Sequence, residues 1–155
     1  MAAGKSKIGR RVSRAIGLPF VDTDRVIAAQ HGPIPQIFEQ EGEPAFREYE
    51  REIVARAVSS RSVVSLGGGA VVHPETRRLL AGAPVVYLTV TAEAVRSRIA
   101  GSSRPLLSEG IESWQRIFAE RRPIYEELAT ETWDTSSLPI TRLAEEIAEW
   151  AKGRI

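Results

Sequence analysis

The chain has 155 residues, 21 basic against 20 acidic, for a net charge of +1, and it lacks cysteine, which excludes disulfides and thiolate metal sites. Hydrophobic residues at 43% and charged residues at 26% describe a globular chain rather than a disordered one. There is no run near the ~18 apolar residues of a membrane span, no apolar signal-peptide core, and no basic excess of a nucleic-acid binder, so one cytoplasmic domain without membrane or nucleic-acid partners is expected.

The elements alternate along the chain, with no repeat or linker dividing residues 1–155. Ile8, Val12 and Ile16 recur at helical spacing, which predicts a helix from near Lys5 to Gly17-Leu18-Pro19. Phe20-Val21-Asp22 reads as a very short strand, followed by helices over residues 24–30 and 34–40. Pro44 opens a longer helix with Phe46, Tyr49, Ile53 and Ala57 in one stripe. Residues 62–66 form an apolar strand ending at Gly67-Gly68-Gly69. A helix over 74–81, a strand over 84–89 and a helix over 92–99 follow, then a polar loop with Gly, Ser and Pro. Helix resumes over 112–128, with a last strand at 132–134 and a last helix over 140–152. Apolar strands separated by helices predict an α/β fold, a buried parallel sheet with helices on both faces. Ligands in such sheets lie at the carboxyl ends of the strands. That rule selects Asp22, Asp24, the glycine triplet and the loop after Ile99.

Followed by Lys7, where many phosphate-binding loops have a second Thr, Ala3-Gly4-Lys5-Ser6 stands directly before the first helix. It matches the second half of a phosphate-binding loop, in which backbone N–H groups surround phosphates, Lys reaches their oxygens, and a hydroxyl binds magnesium. A chance Gly-Lys-Ser is the plain alternative. Asp22 and Asp24, two apart on an extended segment, would project together. In a kinase one carboxylate would hold magnesium and the other would deprotonate an alcohol; otherwise Asp24 is a helix cap. Three consecutive glycines at a strand end expose backbone N–H groups to a ligand. Arg47 and Glu50, three apart, are either a surface ion pair or a guanidinium fixed for gripping a carboxylate. Arg104, beside Pro105 in the polar loop, is placed to swing over a phosphate. Arg121 lies late in the helical stretch, before Pro123-Ile124-Tyr125.

In this order and spacing, these residues resemble the shikimate kinases, small phosphate-loop kinases of aromatic amino-acid and chorismate biosynthesis. The resemblance rests on Gly4-Lys5-Ser6, Asp22-Thr23-Asp24, Phe46-Arg47 with Glu50, Gly67-Gly68-Gly69, Arg104-Pro105-Leu106-Leu107 and Arg121 before Pro123-Ile124-Tyr125. It implies a phosphate-loop kinase fold with a lid at about residues 100–113, and transfer of the γ-phosphoryl group of ATP to the 3-hydroxyl of shikimate. By position it implies Lys5, Asp24 and Arg104 as catalytic residues. Shikimate would meet Asp24, Arg47, Gly67, Gly68, Gly69 and Arg121. ATP would meet Ala3, Gly4, Lys5, Ser6, Lys7 and Arg104, and Mg²⁺ would meet Ser6 and Asp22. A monomer is expected, with ATP, shikimate and Mg²⁺ as its ligands.

The first Gly of the loop would fall before Met1, and so would the strand that precedes it in the family. The expectation is therefore a chain whose first central strand is missing, with doubtful kinase activity as written. The alternatives are an impaired shikimate-binding or regulatory homologue and another small-molecule kinase, such as a gluconate kinase.

Overall fold

The computed structural model describes residues 3–99 and 110–155. The chain opens with helix α1 (Lys5–Ile16), whose Ile8 and Val12 are buried, and Gly17 closes it in a left-handed conformation at φ 70°. That conformation favours glycine, and its N–H caps the Ser13 carbonyl. Strand β1 (Phe20–Asp22) and helices α2 (Thr23–His31), α3 (Ile34–Gln40) and α4 (Glu43–Val58) follow. Strand β2 (Val63–Ser65) leads through the glycines into a short 3₁₀ turn, Ala70–Val72, and helix α5 (Pro74–Leu80). Strand β3 (Val86–Thr89), helices α6 (Ala92–Ile99) and α7 (Ile111–Leu128), strand β4 (Glu131–Asp134) and helix α8 (Ile140–Lys152) complete the order.

β1 runs parallel to β2, with Phe20, Val21 and Asp22 opposite Val63, Val64 and Ser65. β3 runs parallel to β4, with Val86 opposite Glu131 and Thr89 opposite Asp134. Parallel pairing with helical crossovers is as expected. The described strands form two two-stranded sheets, with β2 and β3 not hydrogen-bonded to each other. Between them lies a groove of about 400 Å³, lined by both strands and by Ile8 and Val12 of α1 and Ile147 and Trp150 of α8.

Three apolar clusters hold these elements together. Ile8 and Val12 pack on Leu143, Ala144, Ile147 and Ala148, which fastens α1 to α8. Ile27, Ile37, Phe46 and Ile53 join α2, α3 and α4 into a lobe beside β1. Val95 and Trp114 join α6 to α7. The tryptophans pack as expected, Trp114 stacked on Phe118 and Trp133 edge-on to Trp150. No helix among the described residues is long and apolar enough to cross a membrane.

Candidate active site

β1 is short, and its last residue, Asp22, already caps the next helix: its Oδ1 accepts the Arg25 N–H at 3.3 Å. The cap is therefore Asp22 and not Asp24. The chain leaves extended geometry at Thr23, so Asp22 and Asp24 do not share one face of a strand, contrary to the i, i+2 expectation. Asp22 turns to α1, where its Oδ2 accepts the Ser6 hydroxyl at 2.5 Å. Asp24 turns to the glycines. A Cβ on Gly67 would lie 2.7 Å from Asp24 Oδ1 and 2.7 Å from Glu50 Oε1. Two carboxylates thus meet over one glycine, and the absent Cβ is what admits them.

Thr23, fully buried between the two acids, locks this corner. Its hydroxyl donates to the Ser65 carbonyl at 3.2 Å and accepts the Gly67 N–H at 3.1 Å. The end of β2 is thereby tied to the start of α2. The Gly67 N–H is engaged and is not open to a ligand, which corrects the expectation that the whole triplet presents free donors. Gly68 and Gly69 keep theirs unbonded among the described residues. Gly68 instead offers its carbonyl to the Tyr125 hydroxyl at 2.5 Å.

α4 contributes Arg47 and Glu50 as neighbours on one face. Arg47 Nη1 donates to Glu50 Oε2 at 2.6 Å, and Arg47 Nε and Nη2 donate to Glu43 Oε1 at 3.3 and 3.1 Å. Glu50 is 3% exposed, so the Arg47–Glu50 pair is not the solvated surface contact that its spacing also allowed. Burial pushes the Glu50 carboxyl above its usual value, opposed by Arg47 and reinforced by Asp24. Burial also works against charge on Arg47, but Glu50 and Glu43 outweigh it and hold the guanidinium charged. A Cβ on Gly69 would overlap this guanidinium, 2.6 Å from Nη2, so this glycine too is required by close approach. Its φ of −90° is open to any residue.

α7 closes the corner from the other side. Burial raises the Tyr125 hydroxyl above its usual range, and Arg121, Glu50 and Arg47 all act on it. Arg121 also acts on Glu50. Asp24, Arg47, Glu50, Arg121 and the glycine turn are therefore one constellation drawn from α2, α4, α7 and the end of β2.

The phosphate-loop residues gather at the same carboxyl end of β1, on the α1 side of Asp22. Gly4 is left-handed at φ 79°, a conformation that Cβ-bearing residues avoid, and its carbonyl accepts the Lys7 and Ile8 N–H groups. Lys5 and Ser6 stand in the first turn of α1, where a helix favours an anion. Ala3 is buried, and the Lys7 side chain is exposed. Ser6 and Asp22 are the donors available to a cation here. A Mg²⁺ ion is commonly held by one or two protein oxygens, with water and phosphate completing its octahedron, so this pair fits it. No group of three His, Cys, Asp or Glu side chains suited to a metal occurs among the described residues. Arg104 lies outside the described residues, as does most of the expected lid, and residues 111–113 belong to the first turn of α7.

Sequence spacing missed Thr23, Tyr125 and Glu43. Thr23 finds its partners, Ser65 and Gly67, far along the chain, where spacing gives no signal. Tyr125 stands one helical turn beyond Arg121, which is the signal that links them.

The sequence profile described as "Shikimate kinase" matches residues 1–152. The chain belongs to the shikimate kinase family. The shikimate kinase of Rhodococcus jostii is 44% identical over a stretch covering 83% of this chain and 79% of that protein. The shikimate kinase of Deinococcus radiodurans is 42% identical, covering 97% of this chain and 80% of that one. Among solved structures, the Acinetobacter baumannii shikimate kinase in complex with shikimate superposes with a TM-score of 0.88 at 31% identity, covering 99% of this chain and 89% of that one. The Aquifex aeolicus shikimate kinase superposes with a TM-score of 0.83 at 31% identity, covering 99% of this chain and 92% of that one. The α/β phosphate-loop kinase fold is the fold of this family member.

Proposed function

We propose that this shikimate kinase family member transfers the γ-phosphoryl group of ATP to the 3-hydroxyl of shikimate, yielding shikimate 3-phosphate and ADP. The observation that carries the reading is the meeting of Asp24 and Glu50 over Gly67, with Arg47 bound to Glu50. A hydroxy acid needs a base at one end and a cation at the other. This corner offers both within one residue's breadth.

In this reading Asp24 orients the hydroxyl and takes its proton as the oxygen attacks phosphorus. Arg47 and Arg121 hold the ring carboxylate, with the Gly68 N–H as a further donor. Glu50 keeps the Arg47 guanidinium charged and aimed. Gly4, the first turn of α1 and Lys5 meet the phosphates, and Lys5 offsets charge on the transferring group. Ser6 and Asp22 would hold Mg²⁺, which when bound neutralises phosphate charge. The protein's share of the work is positioning and charge neutralisation, because phosphoryl transfer asks for little covalent chemistry from side chains. The enzyme is taken to act as a monomer in the cytoplasm.

The test is direct. Purified protein is incubated with ATP, Mg²⁺ and either shikimate or gluconate, and products are resolved by mass. Shikimate 3-phosphate formation dependent on the protein is the expected result. Phosphorylation of gluconate in preference, or binding of shikimate without any turnover, overturns the assignment.

A further inference from the structure

We infer that Glu43 is a placeholder carboxylate: it occupies the gripping edge of Arg47 and is exchanged for the substrate's carboxylate on binding. The inference rests on the reading of Arg47 as the carboxylate clamp.

A guanidinium offers two edges on which two parallel N–H groups can grip a carboxylate, the Nε/Nη2 side and the Nη1/Nη2 end. In Arg47 the first edge is taken, since Nε and Nη2 both donate to Glu43 Oε1. The second faces the backbone at Gly69, where a Cβ would lie 2.6 Å from Nη2 and 2.7 Å from Cζ. Nη1 is also committed to Glu50 at 2.6 Å. A bidentate grip on an incoming acid therefore requires the Glu43 carboxylate to leave.

The two acids differ in a way that decides which one leaves. The Glu50 side chain is 4% exposed and the Glu43 side chain 51%. Moving Glu50 would strand a buried charge, which is strongly unfavourable. Glu43 has water beside it, and it stands in the first turn of α4, where a helix favours a negative side chain. Charge leads to the same result. Two carboxylates already share the Arg47 guanidinium, and a third acid on it would add repulsion unless one withdrew. Glu50 is thus the permanent partner and Glu43 the exchangeable one. The exchange admits ligands that carry a carboxylate of their own and gives no comparable advantage to neutral sugars or alcohols.

The experiment measures KM and kcat for shikimate and for its methyl ester in the unaltered protein, Glu43→Gln and Glu43→Ala. The competing contact has the strength of an exposed ion pair, so KM for the acid should fall by about twofold to fivefold in both variants. KM for the ester should not move. A rise in KM for the acid, or no change, overturns the inference, because Glu43 would then brace the clamp or stand idle. An equal fall for acid and ester also overturns it, since a loosened corner needs no exchange. Arg47→Ala separates the two readings. If it leaves the affinity for the acid intact, Arg47 is not the clamp; if it abolishes the preference for acid over ester, the clamp stands and the Glu43 result judges the exchange alone.

Discussion

The two sides of the carboxyl end of β1 are built differently. On the glycine side, Thr23 joins α2 to β2 and Tyr125 joins α7 to Gly68, so separate elements are cross-linked through side chains, while Arg47 holds Glu43 and Glu50 together within α4. On the phosphate side, α1 meets β1 through the Ser6 hydroxyl, which donates to Asp22. The acceptor corner is preorganised by its own contacts, whereas the phosphate cradle relies on helix geometry and the charge of its ligand. Preorganisation at the acceptor side suits a small rigid acid, which brings few contacts of its own.

The largest way to test this contrast is Asp24→Asn. A neutral amide keeps the shape over Gly67 and cannot take the proton, so kcat should fall by about 10²–10⁴-fold while KM for ATP holds. A loss shared equally with ATP binding would remove Asp24 from the acceptor side. Gly67→Ala comes next. Its Cβ would press on both carboxylates, and a displacement of about 1 Å can cost roughly 10²-fold in kcat/KM. Activity near that of the unaltered protein would show that the corner yields easily.

Stability separates the two sides more finely. Thr23→Val leaves the Ser65 carbonyl and the Gly67 N–H without partners in a buried place, at about 1–3 kcal/mol. Ser6→Ala should cost less, about 0.5–1.5 kcal/mol, because Asp22 keeps its cap on Arg25. Urea midpoints read both, and equal losses would erase the contrast. The smallest effect concerns pH. Burial raises Glu50 above its ordinary 4.5, so the folded chain holds that proton more tightly than the unfolded chain does. Its stabilising share is complete below the unfolded value and is lost as pH rises through the folded one. Stability of the unaltered protein relative to Glu50→Gln should therefore decline as pH rises above the ordinary 4.5, and a flat difference would show that Glu50 is not perturbed.

Much of the fold is legible in local pattern. The Ile8–Val12–Ile16 spacing marks α1, the apolar run before Gly67 marks β2, and the glycine triplet marks a place of close approach. Arg47 and Glu50 are legible because helical spacing puts them together. The misreadings come from what is not local. Whether β1 ends at Asp22 or Asp24 decides which way the two acids face, and a three-residue strand carries too little pattern to settle that. Thr23 and Tyr125 find their partners 42 to 57 residues away, and spacing along the chain says nothing of such pairs. Pairing order is also global: parallel strands are legible in the apolar runs, and which strand lies beside which is not.

The groove between β2 and β3 has a consequence for time rather than for shape. In a parallel strand with a single neighbour, alternate amides point away from that neighbour. The amides that bridge β1 to β2 and β3 to β4 exchange their hydrogens only when a ladder opens. Those turned toward the groove exchange as fast as water enters it. Two clocks therefore run along the same short strands, residue by residue, and deuterium uptake distinguishes them without any ligand present.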